Sequence, residues 1–451
     1  MSSFEEQYGF TEADWEACIK VLNQLKETPF ENPDNQLFST LVTKVVKAAK
    51  KGKSKELRTQ TKKVALESVL AQNAQQGTSF YGDEHKGGEH HFTKVDIPKN
   101  CYACNSSYNE VHSFYHRLCP DCAGLNLNQR WREADLQGRK VIITGGRVKV
   151  GYATALKFLR MGAEVVVTTR FPASALENFK KEDDYEQWSL NLEVYGLDLR
   201  LIGQVESFIA HYTRNYGSLD ILVNNAAQTI KYPTEYYAPI VEHERKLLVD
   251  FGNQKRLTAN VHLGETKLLT QAEDLQNLEL NRFGQPVDTR EKNSWNSTLQ
   301  EIDALELLEV NLINQISPFI MIKAFTPLFG KSRYKDGFII NVTSSEGQFS
   351  YGNKTIFHPH TNMTKAALNM MTRTSAKEYA ERSIWMNSVD VGWISTGASE
   401  ELREKQFERG YIPPLDSVDG AARIMHPIFD QLEGKAQYVG QLIKNYRVEN
   451  W

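Results

Sequence analysis

Residues 141–151 read VIITGGRVKVG, and the chain after them keeps returning to the same alternation. Val141–Thr144 is a short apolar strand, and Ala153–Met161 continues as a helix. Val165–Thr168 (VVVT) is a second strand, and Leu192–Leu199 a third, followed by a helix through about Tyr216. Ile221–Asn224, Phe338–Val342 (FIINV) and Met386–Val391 supply three more strands. Strands that alternate with helices imply an α/β domain with a doubly wound parallel sheet, covered by helices on both faces. That domain is placed at residues 136–451.

Three further regions precede it. Residues 1–75 read as a helical N-terminal region and a small bundle. Thr11 caps a first helix with Asp14 three residues on, and Trp15, Cys18, Ile19, Leu22 and Leu25 recur at helical spacing. A second helix carries Leu37, Leu41, Val42, Val45 and Val46, and a third runs from about Leu57 to Leu70, with a turn at Gly52 between them. The basic run from Lys44 to Lys63 reads as a solvated face, because no aromatic residues interleave the lysines as single-strand stacking requires. Residues 76–97, polar and glycine-rich, read as a linker in which His85, His90 and His91 face solvent.

Residues 98–125 contain CYACNSSYNEVHSFYHRLCPDC. Cys101 and Cys104 form one CxxC, and Cys119 and Cys122 another. Two such turns brought together make a closed tetrathiolate cage, the geometry of structural zinc. So short a segment buries little core, so the metal supplies much of its folding energy. His112 and His116 are spare donors beside a shell that four cysteines complete.

Bulk properties narrow the partners. The 451 residues are 41% hydrophobic and 24% charged, with a net charge of −3, which gives no reason to expect nucleic acid. No run of eighteen apolar residues suggests a membrane span, and the acidic start MSSFEEQYGF is not a signal peptide. Five cysteines in such a chain indicate metal binding in a reducing, cytoplasmic setting.

From residue 136 to about 445 the sequence resembles the short-chain dehydrogenase/reductase family, with its nicotinamide-nucleotide-binding Rossmann domain. TGGRVKVG matches the family's TGxxxGxG turn: Gly145 allows the tight turn, and Gly151 lets helix and strand pack closely. Lys149 replaces the middle glycine, where its side chain can reach a phosphate. Asp198 in GLDLR falls where the family contacts adenine. Asn224, Asn225, Ala226 and Ala227 match its NNAG stretch. Asn311 in LEVNLI matches the asparagine of the catalytic tetrad, Ser344 in NVTSSEG the serine, and Lys365 in TNMTKAALNMM the lysine. VDVGWIST, with Ile394 and Thr396, matches the segment beside the nicotinamide. Arg170, just after the second strand, and Arg147 in the glycine turn suit a 2′-phosphate, so NADP is expected over NAD. The resemblance also implies a homo-oligomer paired through the lysine-bearing helix, with Ala366, Leu368, Met370 and Met371 as apolar contacts.

The resemblance breaks twice. Thr361 stands where the family's tyrosine acts as acid, and a threonine hydroxyl is a poor acid. His360 or His358 can serve instead, or Tyr351 can fold back into the site. The second break is an insertion at about 232–300, with helical patterns at Glu242–Leu248 and Thr266–Leu278. It reads as a lid or a partner-docking arm. Two functions follow: an NADP-dependent oxidoreductase acting on a small carbonyl or alcohol, or an inactive nucleotide-binding protein. In the second, the zinc segment, the N-terminal region and the insertion recruit a protein partner.

Overall fold

The computed structural model describes residues 4–76, 88–251, 257–258, 288, 290–352, 354–395 and 400–451. Two compact units result, residues 1–63 and 64–451.

In the first unit, the Thr11 hydroxyl accepts from the Asp14 amide at 3.2 Å, and the Asp14 carboxylate accepts from the Thr11 amide at 3.0 Å, closing the expected capping box. The bundle does not form. The helix Glu12–Leu25 buries no residue, and Trp15, Ile19 and Leu22 stay exposed. The expected break at Gly52 is also absent, since one helix runs from Asn35 to Leu66. An interior glycine costs only about 1 kcal/mol against alanine, and the lysines and alanines around Gly52 favour helix.

In the second unit the linker ends early. Strand β1 (Phe92–Asn100) pairs antiparallel with β2 (Ser107–His112) as a two-stranded ribbon. His85 lies outside the described residues. His90 packs its ring on His112 at 5.0 Å, and the His91 carbonyl accepts from Ser113.

The remaining strands are β3 (Lys140–Thr144), β4 (Glu164–Thr169), β5 (Leu192–Gly196), β6 (Ile221–Asn224), β7 (Leu257–Thr258), β8 (Gly337–Thr343), β9 (Ile384–Asp390), β10 (Leu442–Lys444) and β11 (Arg447–Glu449). They form one sheet in the order β11-β10-β9-β8-β6-β3-β4-β5-β7, parallel except for the β10–β11 hairpin. The expected doubly wound α/β architecture is therefore present. β7 belongs to the insertion and extends the sheet edge beside β5; Thr266–Leu278 lies outside the described residues.

Alternation along each strand builds two cores. Val141, Ile143, Val165 and Val167 face Phe158, Phe179, Ile424 and Phe429. Ile142, Val166, Leu222 and Ile339 face Phe208, Tyr212, Met321 and Phe325. A sheet buried on both sides needs apolar residues at successive positions, which explains runs such as VVVT. The helical stretch Ala304–Phe329 is long and apolar enough to cross a membrane by composition alone, but its Met321, Ile322, Phe325 and Leu328 are buried in the second core. Chain order reverses between β3 and β6, so the carboxyl ends of these strands frame the crevice where such sheets hold ligands.

Candidate active site

The turn after β3 is built by close approach. Gly145 has φ +74°, and a Cβ there would lie 2.9 Å from the Ala226 Cα. A Cβ on Gly151 would meet the Gly145 carbonyl oxygen at 2.3 Å. Asn225 ties the two loops together: its Nδ2 donates to the carbonyls of Thr144 (2.9 Å) and Gly145 (3.2 Å). The Thr144 hydroxyl accepts from the amides of Asn225 and Ala226. Asn224 turns inward instead, donating to Asn341 at 2.8 Å and so bracing β6 against β8. Lys149 keeps a glycine-like φ of 58°, a conformation that costs an L-residue about 1–2 kcal/mol. It opens the helix Lys149–Arg160, whose N-cap Val148 offers no side-chain hydrogen bond. The first-turn amides of a helix lack intrahelical acceptors, and a pyrophosphate can take them.

Arg147 and Arg170 lie beyond β4. Both guanidinium groups sit 5.6 Å from the Phe171 ring, and Arg170 also lies 4.8 Å from the Tyr237 ring. Burial, with Arg170 nearby, pulls Arg147 down to about 10. The insertion contributes here. Glu244, on the helix Thr234–Phe251, is fully buried and accepts from the amides of Ala173 (2.6 Å) and Ser174 (2.8 Å) at the start of the helix Pro172–Lys180. Asp198 is engaged by Arg200, whose Nη2 lies 2.6 Å from its carboxylate.

At the carboxyl ends of β8 and β9 several of the expected site residues converge. The Lys365 ammonium is buried and donates to the Val342 carbonyl at 2.8 Å. Burial brings it down to about 8, against Glu346 and Asp390, which raise it. The Ser344 hydroxyl donates to Glu346 at 2.6 Å. The second oxygen of Glu346 lies 3.4 Å from His358 Nε2. Thr361 is buried and donates its hydroxyl to the His358 carbonyl at 2.9 Å.

The other expected site residues sit elsewhere. Asn311 donates to Leu307 within its own helix and accepts from Gln315. Asn314, one turn on, is buried and reaches the site. It donates to the Gln228 carbonyl (3.1 Å) and the Thr364 hydroxyl (3.0 Å), and accepts from the Gln228 amide (2.8 Å). A π turn at Leu312–Ile316 lies at this point of the helix, and Asn314, not the motif match Asn311, bonds the loop at Gln228 and the lysine-bearing helix. His360 points to Glu306, with Nε2 3.2 Å from its carboxylate. His358, the left-handed N-cap residue just ahead of the helix Pro359–Ala380, points to Glu346 instead. Tyr351 is exposed and lies under the Lys444 ammonium, 5.2 Å from its ring centre. Leu368 is buried in its own core and so is no subunit contact, whereas Met370 is exposed. Thr396 falls outside the described residues, and Ile394 is buried against the cysteine segment.

That segment forms part of the same edge. Tyr102, between Cys101 and Cys104, accepts from the Trp393 amide at 2.7 Å, and a Cβ on Gly392 would stand 3.2 Å from its oxygen. The four cysteine sulfurs lie within 4.8 Å of one another, with Cys104 and Cys119 at 3.7 Å. Sulfurs at the corners of a tetrahedron with metal bonds of about 2.3 Å are about 3.8 Å apart, so the cluster fits a tetrathiolate metal site. The histidines are used otherwise. His112 Nδ1 accepts from the Phe114 amide, and His116 bonds the Ile412 carbonyl.

A family model described as short chain dehydrogenase matches residues 139–242, and one described as enoyl-(acyl carrier protein) reductase matches residues 291–412. The chain belongs to the short-chain dehydrogenase/reductase family. Its Gly145 turn, Ser344 and Lys365 lie in the matched segments, residues 243–290 of the insertion between them, and the cysteine segment ahead of both. An uncharacterized protein of Acanthamoeba polyphaga mimivirus is 33% identical over 344 residues, covering 73% of this chain and 71% of that one. The 3-oxoacyl-acyl-carrier-protein reductase FabG of Thermotoga maritima is 24% identical over 310 residues, covering 68% and 96%. A short-chain dehydrogenase structure from Streptomyces avermitilis overlays with a TM-score of 0.43 at 18% identity, covering 65% and 85%. Short-chain dehydrogenases/reductases are oxidoreductases that use nicotinamide nucleotides in general.

Proposed function

We propose that this protein is an NADP-dependent oxidoreductase that interconverts a small carbonyl compound and its alcohol. The observation that carries the reading is the convergence of Ser344, Lys365 and Asn314 at the carboxyl edge of the sheet, beside the Gly145 turn. NADP, when bound, supplies or accepts the hydride. The chain's own part is to hold and orient. Lys365 offers a fixed ammonium for the nicotinamide ribose, Ser344 a hydroxyl for the substrate oxygen, and Asn314 braces the loop at Gln228 against the helix that carries Lys365. NADP(H) turnover over a panel of carbonyls and alcohols tests the reading. Lys365→Met is expected to lower kcat about 100-fold or more, the scale of a lost acid–base contribution. Turnover in Lys365→Met equal to that of the parent protein would refute it.

Cofactor choice rests on Arg147 and Arg170. Glu244 already satisfies the amides at the start of the helix Pro172–Lys180, so a 2′-phosphate would be read by guanidinium groups. Arg170→Asp is expected to weaken NADP at least about 10-fold more than NAD, because it replaces a forked attraction with repulsion. Calorimetry giving equal losses for the two nucleotides would remove Arg170 from the site. We further propose that the four cysteines hold one structural zinc, and that two copies pair through the face bearing Met363, Met370, Leu305 and Phe319, all exposed. The burial of Thr361, which offers no phenol, favours a second reading as a nucleotide-binding protein without turnover. That reading predicts tight NADP(H) binding and no turnover with any member of the panel.

A further inference from the structure

Four facts about Glu346 and His358 converge. Glu346 stands two residues past Ser344, and its two carboxylate oxygens are divided: one takes the Ser344 hydroxyl at 2.6 Å, the other faces His358 Nε2 at 3.4 Å. His358 Nδ1 lies 2.8 Å from the Trp295 carbonyl. A carbonyl only accepts, so Nδ1 carries a proton. Nε2 then faces a carboxylate, which also only accepts, and a second proton makes His358 an imidazolium. His358 is also held in place firmly. Its φ is 42°, its amide donates to the Ser297 carbonyl, and its ring stacks on Trp295 at 4.4 Å with an interplanar angle of 14°. Left-handed backbone costs a histidine about 1–2 kcal/mol, and strain of this kind concentrates at functional sites. Trp295 and Ser297 come from the end of the insertion, so the insertion builds this corner of the site.

We infer that Glu346 and His358 form a proton relay that works through Ser344 and takes the place of the family's phenol. In the reducing direction a hydride adds to the carbonyl carbon while the carbonyl oxygen takes the Ser344 Oγ proton. His358 Nε2 protonates the Glu346 oxygen that faces it, the carboxyl group turns to present that proton to Ser344 Oγ, and Ser344 Oγ takes it as its own proton leaves for the carbonyl oxygen. Neutral His358 remains, with its Nδ1 proton on Trp295. In the oxidising direction the same three transfers run backwards, and the alcohol proton ends on His358. The charges around the relay favour this resting state. Glu346 is faced by His358, Lys365 and Lys354, and His358 by Glu346 and Lys354. Burial pushes His358 down, but Glu346 and the Trp295 carbonyl outweigh it and hold the imidazole above its ordinary range. Burial likewise raises Glu346, and His358, Ser344 and Lys365 bring it below the usual carboxylate range.

This inference rests on the oxidoreductase reading, and one experiment separates the two. NADPH binding is measured by fluorescence in the parent protein, Glu346→Gln, His358→Gln and Glu346→Asp. Carbonyl reduction by the same four proteins is followed from about pH 5 to about pH 9, a window that brackets the titration of a histidine. The parent is expected to lose kcat as pH rises through the His358 titration, because reduction needs the imidazolium. Glu346→Gln and His358→Gln are expected to lower kcat about 100-fold, to keep NADPH affinity within about twofold, and to abolish that limb of the profile. Glu346→Asp is expected to restore part of the rate and the limb. A parent that binds NADPH but turns over nothing overturns both readings. Turnover and a pH profile that survive Glu346→Gln overturn the relay alone.

Discussion

Arg130→Met is expected to destabilise the protein by about 3–5 kcal/mol at pH 7, the scale for removing one partner of a buried charge cluster. Arg130 is 1% exposed and ends the helix Pro120–Arg130. Its guanidinium grips Asp416 through two bonds of 2.6 and 2.8 Å and lies 3.1 Å from Asp419. Asp419 also accepts the Tyr115 hydroxyl at 2.6 Å and has no exposed surface. Asp416 caps the helix Ser417–Leu432 at the amides of Val418 and Asp419. Without Arg130 the Asp416 carboxylate, whose side chain is 27% exposed, faces the fully buried Asp419, and only the Arg423 charge still acts on Asp419. Burial and the Asp416 charge already push Asp419 up; Arg130 opposes that shift, and its loss pushes the carboxyl further. A folded carboxyl raised above its unfolded value favours the native state while protonated. The deficit is therefore expected to narrow as pH falls toward about 4, the unfolded carboxyl value. Adding Asp416→Asn and Asp419→Asn should recover most of the loss, since the penalty lies in unpaired charge. Urea unfolding checks this, and a cost under about 1 kcal/mol at pH 7 would show that the cluster is not a structural rivet.

Purified protein is expected to contain one zinc per chain, and Cys119→Ser to lose the metal together with the fold of residues 98–125. The ribbon β1–β2 and one short helix surround the sulfurs. Beyond the small core expected of so short a segment, Phe114, Tyr115 and Leu118 pack with Ile394 and Leu415 of the main domain, so the metal adds to a fold that also has apolar contacts. Apparent binding energies of structural zinc reach roughly 10–16 kcal/mol in small peptides, larger than the whole stability of an ordinary domain. The measurements are elemental analysis, then melting and proteolysis with and without chelator. A fall of at least ~10 °C in Tm and cleavage between β1 and the helix Pro120–Arg130 are the expected signs. Reduced, freshly prepared protein without stoichiometric metal would sink the assignment.

What could be read in the linear chain follows from the range of the interactions involved. The strands were legible because a sheet covered on both faces needs consecutive apolar residues, and VIIT, VVVT and FIINV have no other economical use. Gly145 and Gly151 were legible because they serve a local turn. Asn314 was not: Asn311 fitted the local motif, and the bonds of Asn314 to Gln228 and Thr364 span 86 and 50 positions of the chain. Glu346 and Trp295 were also invisible. They become partners of His358 only when the end of the insertion returns to the sheet, 51 positions from Trp295 to Glu346 along the chain. The bundle expected at the N-terminus failed for a different reason. Amphipathic periodicity reports that a helix has an apolar stripe, but it does not report what covers that stripe.

Tyr102 gives the cysteine segment a reach beyond its own fold. Its hydroxyl holds the Trp393 amide, and a Cβ on residue 392, where φ is +83°, would stand 2.7 Å from Leu415 Cδ1 and 3.2 Å from the Tyr102 oxygen. Thermodynamic linkage is reciprocal: if the proposed zinc is bound, free energy that the loop after β9 loses on release of the zinc is lost by the zinc when that loop is displaced. Gly392→Val touches no sulfur, yet it should make the protein surrender its metal to a competing chelator more readily.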